Sequence, residues 1–336
     1  MFMFRPLFFL TFFLPAWVIA QVAPTDALPD TTKREVIYDQ PEKIRRIFVG
    51  FQPVYTDVFS NGVNAGFGMD AYFLPKTGKF DVRASFRKPY SSRFFDQTRD
   101  NMDKTSNTLN ESVGFLFAEV GGTWHLKDEI NTITGKISVI SKDGQKKDSW
   151  SRAAQVSVPF RQRIITGVRA GFQAWRSSVD VTRVLDRQGS RNADIALPEQ
   201  IEGADGNFLP FNVFSNLYSR ALYAGYSLTR IRNHSVYFEG YETAIQDGIV
   251  SVYADLMVAP WLKVDDVEYG FASYSLEKVK LRRTGIRAGV ELRSNKKFGW
   301  GYAAELGWRP APRGSTGYLL VRLSIPVFAG YLIRRN

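Results

Sequence analysis

The residues best suited to chemistry in this chain are arginines set at strand spacing. Thr166-Gly167-Val168-Arg169-Ala170-Gly171-Phe172 recurs as Thr284-Gly285-Ile286-Arg287-Ala288-Gly289-Val290, and Val82-Arg83-Ala84-Ser85-Phe86 is a looser third copy. In every copy the arginine shares its face with Gly, Ser or Asp while the apolar residues share the other, so Arg83, Arg169 and Arg287 are expected to project away from the apolar face. The same alternation adds Arg87, Arg293 and Arg322, with the acids Asp81, Glu119, Glu239, Asp255, Glu291 and Glu305 on the same phase. Planar guanidinium groups pair with carboxylate and phosphate, so this set is either a lining that favours anions or a network that neutralises itself.

Other chemistry has little to stand on. The chain has two histidines, His125 and His234, and no cysteine. Ser235 follows the second histidine, but adjacent residues on a strand point to opposite faces and do not meet. Both histidines fit a turn or interface role, and no catalytic residue is assigned. Without cysteine there is no thiolate metal site, disulfide framework or lipoprotein anchor. The acids Asp180, Asp186, Asp194, Glu199, Glu202 and Asp205 follow no calcium-loop spacing and read as a solvated loop. No metal and no cofactor is expected.

The elements that must position the arginines are strands, and the hairpin Leu281 to Trp308 shows why. Thr284, Ile286, Ala288, Val290 and Leu292 alternate with Gly285, Arg287, Gly289, Glu291 and Arg293. In the second arm Trp300, Tyr302, Ala304, Leu306 and Trp308 alternate with Gly301, Ala303, Glu305 and Gly307, so the apolar face begins and ends in tryptophan. A tilted strand of that length separates the indoles by ~20 Å, close to the ~25 Å apolar band that aromatic girdles flank in a transmembrane barrel. Trp124, Trp150 and Phe160 are assigned to the same girdle.

Composition and termini agree with export. Residues 1–20 carry Arg5, an apolar stretch and the small-residue end Val18-Ile19-Ala20, the pattern of a cleaved signal peptide. Residues 21–43, with Pro24, Pro29 and Pro41, read as a flexible periplasmic lead-in. Only 44% of residues are hydrophobic, too few for a helical membrane protein but compatible with a barrel whose interior is polar. The formal net charge of +11 favours anionic partners such as lipopolysaccharide phosphates or acidic solutes. Nucleic acid is excluded, because the arginines sit at strand period rather than on one basic patch.

From residue 44 onward, alternating segments separated by turn chemistry predict fourteen antiparallel strands, with twelve or sixteen as neighbouring counts. Turns are placed at Pro75 to Gly78, Lys127 to Glu129, Arg161 to Arg163, Arg232 to Ser235 and Ser294 to Lys297. Residues 89–110 and 177–213 are the long loops, assigned to the outer side with the short turns and both termini on the periplasmic side.

In this architecture the chain resembles a Gram-negative outer-membrane β-barrel over roughly residues 44–329, at the level of the superfamily. The fold class is therefore an all-β, transmembrane, antiparallel up-and-down barrel occupying residues 44–336. The resemblance implies an outer-membrane location, contact with lipid and lipopolysaccharide, and insertion by the barrel-assembly machinery. The function expected first is a passive, porin-like channel for small anionic solutes through an arginine-lined lumen. The first alternative is a structural or surface-interaction barrel whose lumen is closed by salt bridges. The second is a lipid-directed outer-membrane hydrolase, which would need the histidines to meet acids near the outer leaflet.

Overall fold

A computed structural model describes residues 33–60, 62–140, 153–202, 206–295 and 299–331. The expected signal peptide and Trp150 lie outside the described residues. Eleven strands share one sheet: β1 (Arg34–Asp39), β2 (Ile47–Phe59), β3 (Gly62–Phe73), β4 (Phe80–Pro89), β5 (Leu116–Ile140), β6 (Ala153–Asp180), β7 (Phe214–Phe238), β8 (Ala244–Val264), β9 (Thr284–Ser294), β10 (Gly301–Trp308) and β11 (Gly317–Gly330). From β2 to β11 each strand neighbours the next in sequence, and β11 pairs antiparallel with β2. Ten strands thus close an up-and-down barrel, leaving β1 outside the cycle on β7. Closure gives every barrel strand two partners, the condition for a sheet to sit in hydrocarbon.

The expectation of fourteen strands is corrected to ten among the described residues, for a specific reason. Lys127-Asp128-Glu129, Arg161-Gln162-Arg163 and Arg232 to Ser235 were expected to be turns and instead lie inside β5, β6 and β7. Two of these charged clusters satisfy each other. Arg163 Nε and Nη2 donate to the two Asp128 carboxylate oxygens at 2.7 and 2.5 Å, so what looks like turn chemistry is an ion pair between neighbouring strands. The expected strands 248–259 and 261–275 likewise do not separate at Pro260, which lies inside β8; β8 ends at Val264, and Val267–Tyr269 pairs with Ala272–Tyr274 as a small hairpin of its own.

The chain divides into two compact units. The smaller comprises residues up to Pro41, Asn131–Gln162 and Asn233–Gln246. Its core is Ile137, Val139, Val158, Val236 and Phe238. Here β1 runs from Arg34 opposite Phe238 to Asp39 opposite His234, so Arg34–Asp39 are strand rather than flexible lead-in. The Asp39 carboxylate accepts the Arg161 backbone N–H at 2.8 and 3.1 Å.

The larger unit comprises Glu42–Ile130, Arg163–Arg232 and the chain from Asp247 onward. Its strands keep the period of two. Val82, Phe86, Val120, Val168, Phe172, Leu222, Leu256, Ile286, Tyr302 and Leu306 are exposed, while Asp81, Arg87, Arg169, Asp255, Arg287 and Glu305 are buried. An exterior of large apolar side chains over a charged interior inverts a soluble protein and suits lipid. The expected hairpin forms as β9 and β10, with Ile286 opposite Trp308 and Leu292 opposite Tyr302.

Among the described residues the long loops carry helices, while Asp186, Asp194, Glu199 and Glu202 are exposed to solvent as expected. Loop 89–110 contains α1 (Gln97–Thr105), and Ser177 to Asp180 belong to β6. The rest of 177–213 opens with α2 (Val181–Arg187), capped by the Asp180 side chain accepting from the Arg183 N–H at 2.9 Å.

Candidate functional site

Inside the larger unit the arginines and acids meet as a layer. Arg287 on β9 is its centre, donating Nη2 and Nη1 to the two Glu119 oxygens at 2.7 and 2.9 Å and Nε to Asp255 at 2.8 Å. Its Nη1 also lies 3.4 Å from Glu305. Arg169 Nε sits 3.2 Å from the other Asp255 oxygen. Arg83 on β4 bridges Asp81 at 3.1 Å and Glu291 at 3.0 Å, and Arg322 holds the second Glu291 oxygen. Arg293 pairs with Asp70 at 3.3 Å. β9 neighbours neither β5 nor β4 around the barrel, so the Arg287–Glu119 and Arg83–Glu291 bonds cross its interior. Charge-assisted, fork-to-fork pairs of this kind fix geometry as well as charge.

The repeated Thr-Gly-x-Arg-Ala-Gly motif has a packing reason. Gly171 lies opposite Tyr223 and Gly289 opposite Tyr253. A Cβ at either glycine would stand 2.5 Å from the facing tyrosine ring, so each glycine lets a ring lie flat over its strand. The rings then cover the guanidinium groups, Tyr253 at 3.8 Å from Arg169 and Tyr223 at 4.4 Å from Arg287. Tyr253 and Tyr318 hydroxyls donate to the two oxygens of Glu305 at 2.6 Å each. These tyrosines, together with Asp57, Asp70 and Arg309, are site residues that the strand alternation alone did not pick out. Arg309 follows β10 and donates Nη1 to Asp57 at 2.7 Å beneath the Tyr318 ring.

Apolar clusters lie on both sides of this layer. At the end bearing the turn 74–79, Ile44, Phe48, Tyr72, Leu74, Ile165, Ile231 and Ile249 pack together. At the opposite end, loop residues Val181, Val184, Leu185, Ile195, Leu197, Phe211, Leu276 and Val279 pack onto Tyr55, Phe117, Trp175 and Leu217 of the barrel wall. Hydrogen bonds stitch these loops to one another. Asn107 N–H donates to the Asn212 carbonyl at 3.0 Å and Leu109 N–H to Glu268 at 2.7 Å, while Arg187 reaches Gly314 at 2.7 Å and Ser60 at 3.0 Å. Asp96 anchors the α1 loop by accepting the Phe115 N–H at 2.7 Å and the Arg99 N–H at 3.4 Å, and burial pushes its carboxyl above the usual range.

The other expected site residues divide. Arg83, Arg87, Arg169, Arg287, Arg293 and Arg322 come together with Asp81, Glu119, Asp255, Glu291 and Glu305 in the larger unit. Glu239 does not; it is exposed one residue past β7, in the smaller unit, because β7 ends before the alternation reaches it. Trp124, Trp300 and Trp308 are half exposed or more on the outer face. Phe160 is corrected from girdle to core, since it is 2% exposed and stacks on His234 with ring centroids 4.3 Å apart. His125 Nε2 lies 3.0 Å from Asp81 and its Nδ1 contacts the Gly78 carbonyl at 2.5 Å.

A closed antiparallel barrel with an apolar exterior and an ionic interior is the architecture of the transmembrane β-barrels of outer membranes. No protein-family model matches the chain, and no curated protein matches it in sequence. Among solved structures it is similar to the CymD monoaromatic hydrocarbon channel at 7% identity, covering 89% of this chain and 94% of that one with a TM-score of 0.24. It is similar to the Ralstonia pickettii toluene transporter TbuX at 10% identity, 86% and 90% coverage and a TM-score of 0.25. Outer-membrane expressed OmpT of Vibrio cholerae shows 9% identity, 87% and 100% coverage and a TM-score of 0.18. Superpositions this loose carry no argument, and the class rests on the strand order and burial above.

Proposed function

We propose that this chain is an outer-membrane barrel, shut at rest, that acts through the folded cap its loops build at the cell surface. The observation that carries this reading is the succession of an apolar cluster, the arginine–carboxylate layer and the loop core along the interior. A passive pore needs a continuous polar path, whereas an interior filled in this way blocks solutes and keeps the wall rigid. Export by a cleaved signal peptide and insertion by the assembly machinery belong to the same reading. So does an orientation with loops 89–110 and 177–213 outward.

Lipopolysaccharide is the partner that the cap chemistry suits. At the loop end, a groove of about 370 Å3 is lined by Arg282, Arg313, Thr284, Gly314 and Thr316. Two guanidinium groups beside hydroxyl and backbone donors match the phosphates of an outer-leaflet glycolipid.

A second reading, passage of small anions, is favoured by the arginines of the layer; it requires that layer and the cap to open together. Conductance of the refolded chain in a planar bilayer, with the reversal potential under a salt gradient, separates the two. A silent, correctly folded barrel is expected. Steady anion-selective conductance, lowered by Arg169→Ala, would replace the closed reading with the channel.

A further inference from the structure

Midway along the interior lies a cavity of about 30 Å3, room for one or two water-sized particles. Its wall carries Arg83, Arg87, Arg169, Arg293 and Arg322 against four carboxylates, Asp70, Glu119, Glu291 and Glu305. Those carboxylates are already bonded: Asp70 by Arg293 and Ser324, Glu119 by Arg287, Glu291 by Arg83 and Arg322, Glu305 by two tyrosines. The arginines are not all bonded. Arg87 is 1% exposed and makes no ion pair among the described residues; the Phe117 ring lies 3.8 Å from its guanidinium carbon. A ring beneath the guanidinium attracts the charge but leaves the in-plane N–H groups unsatisfied.

The unsatisfied atoms on this wall share one character. Arg87 Nε and Nη1, Arg169 Nη1 and Arg293 Nη1 are buried without a hydrogen-bond partner, and no buried acceptor on the wall is in that state. Arginines and carboxylates are matched over the layer as a whole, but not locally. The surplus carboxylate belongs to Glu119, Asp255 and Glu305 around Arg287, while Asp57, the other acid acting on Arg87, is held by Arg309 through Oδ2; the Oδ1 atoms of Asp57 and Asp255, buried without a hydrogen bond, belong to residues that do not line the cavity. A buried charge without a close partner is costly, and the group that completes this wall accepts from several donors and carries the negative charge that Arg87 lacks beside it.

We propose that the cavity binds one monovalent inorganic anion of halide size, chloride under ordinary conditions, as the counter-ion of Arg87. Water fits the volume and can accept from two of these donors, but it carries no charge to balance the Arg87 guanidinium. Phosphate and carboxylate-bearing solutes accept well but exceed the space. The ion completes the layer whether the barrel stays shut or opens, so the proposal stands apart from the reading of the cap.

Crystals of the refolded full-length chain grown in sodium bromide provide the direct test. An anomalous peak in the cavity within hydrogen-bond reach of Arg87 is expected; water density there in bromide overturns the proposal. In solution, the urea midpoint should rise saturably with chloride at an ionic strength kept constant with gluconate, and Arg87→Gln should abolish the rise. A midpoint insensitive to chloride, or a rise that persists in Arg87→Gln, would equally overturn it. Should Arg87→Gln fail to fold, the bromide map of the unaltered protein decides.

Discussion

The ionic layer and the loop cap, which together close the barrel in the proposed reading, are held by opposite means. In the layer, Arg287, Glu119, Asp255 and Glu305 are held by directional charge-assisted bonds between strands that are not neighbours. In the cap, Leu185, Phe211, Leu276 and Val279 exclude water by apolar contact, and the loops are tied through backbone carbonyls. The layer depends on every partner being present, because removing one strands the others in a medium that cannot solvate them. The cap depends on packing, which is divisible and fails locally first.

The largest expected effect therefore belongs to Arg287→Met. It leaves Glu119, Asp255 and Glu305 facing one another without their shared cation, and a loss of about 3–5 kcal/mol of global stability is expected from breaking a buried ion network by one member. Denaturant unfolding of the refolded barrel, followed by tryptophan fluorescence, measures it. A loss under about 1 kcal/mol, the scale of a solvated pair, would mean that the layer is wet and the contrast with the cap false.

Leu185→Ala should cost less to the whole and more to one place. Leu185 is 1% exposed in the loop core, and truncation of such a side chain removes about 2–4 kcal/mol from the structure it supports. Because the cap is packed onto the barrel rather than woven into its ladder, the expected readout is faster trypsin cleavage near Arg187 and Lys280, with little change in the barrel midpoint. Equal loss in both readouts would make cap and barrel a single cooperative unit.

What the sequence revealed follows from which patterns are periodic. Alternation along Thr284 to Arg293 and Trp300 to Trp308 identified both faces of the hairpin, since a lipid-facing strand carries its apolar residues without interruption. The buried arginines were legible for the same reason. Tyr223, Tyr253 and Tyr318 were not, because tyrosine is equally at home on a girdle and inside a polar core. The usable signal was the second glycine of the repeat, whose missing Cβ leaves room for a ring on the next strand. Strand count failed where charge imitated a turn: Asp128 and Arg163 look solvated when read one segment at a time and become a cross-strand pair once β5 and β6 are adjacent. Trp124 and Phe160 have the same aromatic signature in sequence, and only burial separates an outward-facing ring from a core one.

The smallest effect sharpens the comparison most, because it gives the cap a carboxylate of its own. Asp96 at the start of α1 differs from the acids of the layer in accepting from backbone N–H groups, of Phe115 and Arg99, and from the Asn64 side-chain amide rather than from arginine. Burial raises its pKa and outweighs those bonds, so the folded cap holds the Asp96 proton more tightly than the unfolded chain does, where an aspartate titrates near ~3.9. The sign follows from linkage: this contribution is fully present below that unfolded value and is lost as pH rises through the higher folded one. Hydrogen exchange of the α1 amides, corrected for intrinsic rates, should therefore show less protection at pH 7 than at pH 4. In Asp96→Asn the single carboxamide oxygen can replace Oδ2 as acceptor of the short Phe115 N–H bond, and the 3.4 Å Arg99 bond to Oδ1 is given up; the slope should vanish while protection at pH 7 falls by about 1 kcal/mol. A slope that survives in Asp96→Asn would place the titrating group elsewhere in the cap.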